Sequence, residues 1–268
     1  MKKVIDGLVY SSLVPALYIA IFTLYAFLVT SHNIDSKLVI INFLGTFVSY
    51  NTIAFISLRY RGIKSSRMQW QSDNRNVLAA LSIAALVGIL YFFKSINPKQ
   101  FINLSHLFIL VILYEKRSKS SFSIRAEMFF KPLIISYIWT MVAVGNVLFE
   151  SSHFNWTIFF ESFLSIAALS LFYDIRDKNY DFEMGLETLV HKFGVRKVKS
   201  IAYRLYLVSV LIRMLAIPFK EYWYLYILEM IIFSLLLKRT KPETNNHLYV
   251  IAVDGLIIFK LLYVLEFY

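Results

Sequence analysis

Long uninterrupted runs of apolar residues recur along almost the whole chain, and they constrain its fold more than any other feature. Several runs are about 17–23 residues long, the length that an α-helix needs to cross a hydrocarbon layer about 30 Å thick. The runs do not alternate polar and apolar residues, so they differ from the strands of an outer-membrane barrel. Of the 268 residues, 58% are hydrophobic, and the mean hydropathy is +0.61. The sequence therefore predicts an all-α membrane protein that crosses the bilayer several times.

The apolar runs between the charged loops predict nine transmembrane helices in a single domain, residues 1–268. The first run follows Lys2 and Lys3 and is too long for a cleavable signal peptide, so we expect it to remain as the first span. The predicted spans are residues 8–30, 38–58, 77–93, 101–114, 132–149, 155–173, 200–219, 221–237 and 248–266.

The basic residues predict the direction of these spans. If the N-terminus is cytoplasmic, the inner segments carry 21 of the 28 Lys and Arg residues and the outer loops carry 4. Such a bias is typical of the positive-inside rule. It explains the net charge of +11 by topology and by contact with anionic lipid headgroups, so we expect no nucleic-acid partner. We expect a multi-pass protein of a bacterial-type inner or plasma membrane, with its polar site on the cytoplasmic side.

Carboxylates concentrate in the stretch YDIRDKNYDFEMGLE, directly after the sixth predicted span. Asp174, Asp177 and Asp181 have the i, i+3, i+7 spacing that places side chains on one face of a helix. Three like charges on one face repel each other, and Mg²⁺ would relieve this repulsion because it prefers oxygen ligands from carboxylates and phosphates. The alternative is a solvated helix end in which Arg176 and Lys178 neutralise the acids.

The other chemistry-bearing residues exclude several kinds of site. No cysteine occurs, so disulfides and thiolate metal sites are excluded, and the five histidines lack ligand spacing. Ionisable residues inside predicted spans are candidates for function or for internal ion pairs. We expect Glu229 to pair with Arg204 or Arg213. We expect Asp254 to lie near the mouth of a cavity, and Glu161 to lie too far from the cytoplasmic end to join the site.

The stretch DIRDKNYDFEMGLETLVHKFGVRKVKS resembles the second aspartate-rich motif of the UbiA superfamily of intramembrane prenyltransferases. The shared features are a DIRD-x-x-x-D core, then a glycine, a Thr-Leu pair, a Phe-Gly pair and basic residues. FFKPLIISYIWTMV at the fifth span and VDGLIIF in the last span agree more weakly. The resemblance implies a UbiA-like bundle of nine helices.

The resemblance also implies a function. Such a protein would transfer an isoprenyl group from an isoprenyl diphosphate to a lipophilic acceptor, as a transferase of alkyl groups other than methyl, surrounded by membrane lipids. Its cofactor would be Mg²⁺, held by Asp174, Asp177 and Asp181 and by Asn51 of a first motif. The metal would stabilise the charge that develops on the leaving diphosphate, and aromatic rings would stabilise the allylic cation. No residue is assigned a further catalytic role.

The first motif of the superfamily is incomplete in this chain. In FVSYNTIAFISLRYRG, Asn51 is present, but Phe55 and Arg59 stand where carboxylates are expected. Arg59, Arg61 and Lys64 can bind diphosphate oxygens directly, as the bidentate guanidinium group favours, or they are simply part of the basic inner loop. Asn51 can equally form an interhelical hydrogen bond. The alternative function is therefore a catalytically altered or inactive bundle of the same fold that binds or transports lipids.

Overall fold

The computed structural model describes residues 2–30, 33–61, 66–115, 130–150, 154–183, 185–216, 223–244 and 249–265. Within these ranges all regular structure is helical, which confirms the all-α prediction for the described part of the chain. The first helices are α1 (Lys2–Tyr10), α2 (Leu13–Val29), α3 (Ser36–Arg61), α4 (Ser66–Asp73), α5 (Arg75–Phe92, followed by a 3₁₀ turn) and α6 (Pro98–Glu115). The later ones are α7 (Phe130–Thr140), a π-helix (Met141–Gly145), α8 (Asn146–Leu148), α9 (Trp156–Arg176), α10 (Lys178–Glu183), α11 (Leu189–Ala216), α12 (Trp223–Arg239), a second π-helix (Tyr249–Val253) and α13 (Leu256–Leu265).

Four helical segments are long and apolar enough to cross a membrane, which indicates a multi-pass integral membrane protein. A helix lies within each of the nine predicted spans. The nine crossings stay a prediction, because the remaining helices are shorter or less apolar. The cytoplasmic N-terminus also stays a prediction. The four segments are Ser36–Arg59, Arg75–Ser95, Lys131–Leu148 and Trp156–Arg176; Leu13–Val29 and Pro98–Tyr114 are shorter apolar helices.

Helix α9 occupies the centre of the bundle, and α5 lies at its periphery. In the most apolar part of each helix, 78% of the residues of α9 are buried by protein, but only 11% of those of α5. A helix that is apolar all round must be covered by protein or by lipid, so the exposed apolar surface of α5 is expected to face the bilayer. Next to α9, Phe172 packs edge-on against Phe233 of α12 at 5.2 Å, and Tyr206 of α11 stacks on Phe233 at 3.9 Å. The acidic stretch is thus attached to the most firmly packed helix.

A π-helical turn (Met141–Gly145) follows α7, and asparagine side chains satisfy its backbone. Asn103 Nδ2 donates to the Met141 carbonyl at 3.1 Å, and Asn42 Nδ2 donates to the next carbonyl at 2.8 Å. Asn146 joins the two, since its Nδ2 donates to Asn42 at 3.2 Å and its Oδ1 accepts from Asn103 at 2.7 Å. An unsatisfied carbonyl is costly in lipid, so these three side chains explain why the wide turn is tolerated between apolar helices.

Four charged residues are buried together toward the end of the bundle opposite the acidic stretch. Arg213 Nη2 lies 2.5 Å from Glu229 Oε2, and Lys260 Nζ lies 2.5 Å from Glu161 Oε1. Arg213 is therefore the arginine that pairs with Glu229, as expected for one of the two candidates, whereas Arg204 is exposed. Two positive and two negative charges balance, as buried charges must.

Candidate functional site

The acidic stretch spans the end of α9 and the short helix α10. Helix α9 ends at Arg176, and Asp177 follows as its cap. The Asp181 N–H donates to the Asp177 carbonyl at 2.7 Å, so the chain continues almost helically. Asp174 and Asp181, seven residues apart, consequently remain on one side of it. Both are only 1% exposed.

A lysine from another helix lies between these two buried aspartates. Lys131 Nζ lies 2.8 Å from Asp174 Oδ1 and 2.6 Å from Asp181 Oδ2. Lys131 belongs to the first turn of α7, where the following Pro132 is tolerated because that turn lacks internal N–H bonds, and it is 6% exposed. The ammonium group compensates one of the two negative charges. The cluster of Lys131, Asp174 and Asp181, which we call the buried triad, therefore keeps one net negative charge.

Asp177, the third predicted aspartate, has a different partner. Arg176 Nε and Nη2 donate to its two carboxylate oxygens at 2.6 and 2.8 Å. Burial raises the pKa of Asp177, but the positive charges of Arg176, Lys131 and Arg67 together outweigh burial and hold that pKa below its usual value. The structure thus brings Asp174 and Asp181 together and leaves Asp177 beside them.

Asp254 contacts Tyr173, the residue that precedes Asp174 in the acidic stretch. The Tyr173 hydroxyl donates to Asp254 Oδ1, and Asp254 is 5% exposed. The Arg176 guanidinium lies 4.9 Å from the centre of the Tyr173 ring. Asp254 follows the second π-helix, in which the carbonyl of Ile251 accepts the Tyr18 hydroxyl at 2.9 Å. The last helix therefore approaches the acidic stretch through Asp254, which the sequence analysis expected near the mouth of a cavity.

Arg67, in α4, belongs to this region although the sequence analysis counted it only as a loop charge. Its guanidinium interacts electrostatically with Arg176, Asp177, Tyr50 and Tyr173. Burial, together with the charge of Arg176, lowers the pKa of Arg67 from its ordinary value. The Asp177 carboxylate compensates one of these two guanidinium charges, and the remaining positive charge favours a further anion.

The predicted first-motif residues are Asn51, Arg59, Arg61 and Lys64, and the side chains of the first two are described. Asn51 is fully buried, and its Oδ1 accepts a hydrogen bond from the Ser12 hydroxyl at 3.4 Å, which is the interhelical contact considered as its alternative role. Its Nδ2 has no hydrogen-bond partner among the described residues. Arg59 is exposed near the end of α3. The side chain of Arg61 and all of Lys64 lie outside the described part.

An apolar cavity of 270 Å³ lies among α2, α3, α5, α6 and α7 with the π-helical turn that follows it. Tyr50 and Trp139 line it, and the Trp139 Nε1–H donates to the Tyr50 hydroxyl at 3.2 Å. Tyr50 also interacts with Arg67, so this tyrosine lies between the charged region and the cavity. Gly45 lines the cavity wall, where an added Cβ would meet no atom within 4 Å. A ligand with a charged head and an apolar tail matches this arrangement of a charged region beside an apolar cavity.

The described residues offer carboxylate oxygens to a divalent cation, but they form no ready cage. No group of three or more His, Asp or Glu side chains among them is placed to hold a metal ion. Asp174 Oδ2 is buried, and the described residues offer it no hydrogen-bond partner. A buried carboxylate oxygen of this kind is a suitable ligand for Mg²⁺. Asp174 and Asp181 therefore fit as ligands of a single ion. The resemblance implies a different arrangement, in which two acidic motifs hold the metal between them.

No protein-family model matches the sequence, and no curated protein matches it. Solved structures match over nearly its whole length. A UbiA homologue from Archaeoglobus fulgidus bound to GPP and Mg²⁺ has a TM-score of 0.68 at 16% identity, covering 96% of this chain and 98% of that one. A digeranylgeranylglyceryl phosphate synthase has a TM-score of 0.56 at 20% identity, covering 99% and 98%. The apo structure of a UbiA homologue from Aeropyrum pernix K1 has a TM-score of 0.61 at 13% identity, covering 94% and 98%.

The chain has the UbiA fold. The resemblance drawn from the acidic stretch is thereby confirmed at the level of the fold. Within this UbiA fold, sequence reasoning missed Lys131 and Arg67 as members of the site. The sequence signal for Lys131 was its position directly before a proline, at the start of an apolar run. For Arg67 no local signal distinguishes it from the other basic residues of its loop.

Proposed function

We propose that this protein is a UbiA-like prenyltransferase that transfers an isoprenyl group from a prenyl diphosphate to a lipophilic acceptor. The observation that carries the proposal is the buried triad of Lys131, Asp174 and Asp181 in a UbiA fold, with an apolar cavity nearby. Buried charges are costly unless they are paired or hold a ligand. The basic bias of the inner segments supports a site that opens to the cytoplasm.

The residues of the chain would act mainly by binding and orienting the diphosphate. Lys131, Arg67 and Arg176 supply positive charge around the acidic stretch, so they would stabilise the negative charge of the leaving diphosphate as the C–O bond of the donor breaks. The apolar cavity would hold the isoprenyl chain and exclude water from the allylic cation. The ring faces of Tyr50 and Trp139 at that cavity would stabilise the cation.

We propose Mg²⁺ as the cofactor, with Asp174 and Asp181 as the residues that would hold it. When bound, the ion supplies charge neutralisation at the diphosphate. The A. fulgidus homologue was solved with Mg²⁺ together with GPP or DMAPP, which supports this proposal by analogy. Asp177 and Asn51 remain proposed ligands on the resemblance alone.

The basic residues of the first motif remain proposed diphosphate contacts. Arg59 is exposed, so it can reach a ligand only at the mouth of the bundle. Arg61 and Lys64 keep this role as a proposal from the sequence. Arg67 joins them because of its electrostatic contacts with Arg176 and Asp177.

A bundle that binds or transports lipids without the transfer reaction is the second candidate. The observation that favours it is Lys131, which pairs with both buried aspartates and could hold them together as a purely structural contact. Extraction of lipids from cells with and without the gene, followed by mass spectrometry, distinguishes the candidates. An enzyme leaves a prenylated lipid that depends on Asp174, whereas a binding protein leaves the lipid composition unchanged.

Thermal unfolding of the purified protein with GPP tests the binding site directly. We expect GPP with Mg²⁺ to raise the unfolding temperature of the wild type and of Glu183→Gln, an exposed acidic residue of the same stretch. We expect the Asp174→Asn variant to lose this response. An equal response of Asp174→Asn and wild type would show that the diphosphate binds elsewhere.

A further inference from the structure

A groove of 500 Å³ runs between α11 and α12, lined by residues that are separate from the acidic stretch. Its lining extends from Tyr203 to Met214 on α11 and from Trp223 to Lys238 on α12. At 1.5 Å per residue these segments are about 16–23 Å long. A hydrocarbon layer is about 30 Å thick, so the groove covers more than the depth of one leaflet.

The groove has a rigid floor and an open side. Val210 and Tyr226 at the floor are 2% and 3% exposed, and the Tyr226 ring stacks on Tyr263 at 4.4 Å. Along the rims, Leu211 and Leu235 are 49% and 53% exposed. The opening therefore faces away from the bundle, and an elongated apolar ligand can enter sideways from the bilayer.

Basic residues surround one end of the groove. Lys238 lines that end, and Arg239 follows it in the last turn of α12. Lys199 Nζ donates to the Lys238 carbonyl at 3.1 Å, and burial together with Lys241 lowers the pKa of Lys199. Positive charges crowded in this way favour an anion.

The charge at this end is not cancelled by the neighbouring acid, Glu243, because four basic residues outnumber it: Lys199, Lys238, Arg239 and Lys241. The Glu243 carboxylate accepts a hydrogen bond from Asn179 at 2.6 Å, and the Glu243 N–H donates to the Arg176 carbonyl at 3.0 Å. These contacts also show that the basic end of the groove lies at the same end of the bundle as the acidic stretch. The positive-inside rule predicts that this end is cytoplasmic, where the leaflet carries anionic lipids.

We propose that the groove is a binding site for one anionic phospholipid. Its acyl chain lies between α11 and α12, and its phosphate contacts Lys238 and Arg239. The apolar length of the groove matches a chain, the open side permits entry from the bilayer, and the basic end selects a negative headgroup. This site is independent of the prenyl diphosphate site.

Native mass spectrometry and thermal unfolding of the detergent-solubilised protein test the proposal, with phosphatidylglycerol and phosphatidylcholine of the same chains as probes. We expect one retained phosphatidylglycerol per chain, and an affinity that falls by at least about tenfold in Lys238→Gln/Arg239→Gln, since each basic residue near an anionic surface contributes appreciably. Lys94→Gln/Lys99→Gln, two exposed lysines of the opposite end, is the matched control.

A second pair of variants tests the groove itself. Ser234 lines the groove and donates to the Met230 carbonyl at 2.7 Å, so Ser234→Phe fills the groove without removing a buried apolar side chain. Ser82→Phe is its control, because Ser82 is a partly buried serine of α5 with the same bond to the preceding turn, at 2.7 Å from Leu78. Loss of binding in Ser234→Phe alone supports the site. Equal retention of both lipids, or binding that persists in Ser234→Phe or in Lys238→Gln/Arg239→Gln, overturns it.

Discussion

Replacement of Arg213 by methionine tests the most deeply buried charges of the bundle. Arg213 and Glu229 are 1% and 0% exposed, and their nearest atoms are 2.5 Å apart. Removal of the arginine leaves Glu229 buried with only the hydroxyls of Tyr206 and Tyr263 as partners, at 2.5 and 2.6 Å. The Lys260–Glu161 pair remains, so the cluster would carry one uncompensated negative charge.

The expected cost follows from this imbalance. Breaking a buried ion pair by removing one partner costs about 3–5 kcal/mol. At about 2–4 °C per kcal/mol for a chain of this size, the Arg213→Met variant should unfold about 6–20 °C below the wild type. Tryptophan fluorescence during heating in detergent measures the shift. Arg204→Met, an exposed arginine of the same helix, is the control and should change stability by less than about 0.5 kcal/mol.

A double variant separates lost charge balance from lost packing. In Arg213→Met/Glu229→Gln the unpaired charge is gone, while the glutamine Oε1 can accept a hydrogen bond from one of the two tyrosine hydroxyls and its Nε2 can donate to the other. We expect a coupling energy of about 1–3 kcal/mol, so the double variant should be more stable than the sum of the single changes predicts. Strictly additive losses would refute the reasoning, because they would mean that the pair contributes no charge compensation.

Three further predictions concern the cavity, the π-helix and the acidic stretch. Gly45→Phe should fill the cavity and weaken binding of geranylgeranyl diphosphate more than binding of GPP, since the added Cβ meets no atom within 4 Å; equal weakening in titrations would argue against this cavity as the chain site. Asn42→Leu should destabilise the protein by about 1–3 kcal/mol in thermal unfolding, because it removes the buried hydrogen bonds that Asn42 makes with the Val142 carbonyl and the Thr23 hydroxyl; no loss would show that these bonds do not stabilise the fold. Asp177→Asn should lower stability at neutral pH. Since the folded pKa of Asp177 is depressed, this deficit should disappear as the pH falls below about 4, and a deficit independent of pH would contradict the Arg176 contact.

The helices were largely predictable because apolar length is a local property of the sequence. The predicted and observed helices differ where the backbone leaves the helical conformation. The first predicted span is divided at Ser12, whose φ is 69°, and the seventh lies in a longer helix that begins at Leu189 and kinks at Gly194, with φ 76°. A short turn at Asp177 interrupts the helical face expected for the three aspartates.

The site was predictable only in part, because its contacts join distant segments. The spacing of Asp174 and Asp181 predicted that they lie on one side of the helix. Their partner Lys131, however, lies fifty residues before Asp181 in the sequence. No periodicity reports a pairing at that distance. The π-helix was equally invisible, since its stability depends on asparagines from three helices rather than on its own apolar residues.

Equilibrium binding of radiolabelled GPP to the purified protein, compared between wild type and Lys131→Met, tests the central claim most directly. If the buried triad holds the diphosphate, loss of this charged contact, worth about 1.5–3 kcal/mol, should weaken binding by about ten- to 150-fold. The exposed-lysine variant Lys94→Met should bind as the wild type does. Unchanged affinity in a folded Lys131→Met protein would contradict the assignment of this site.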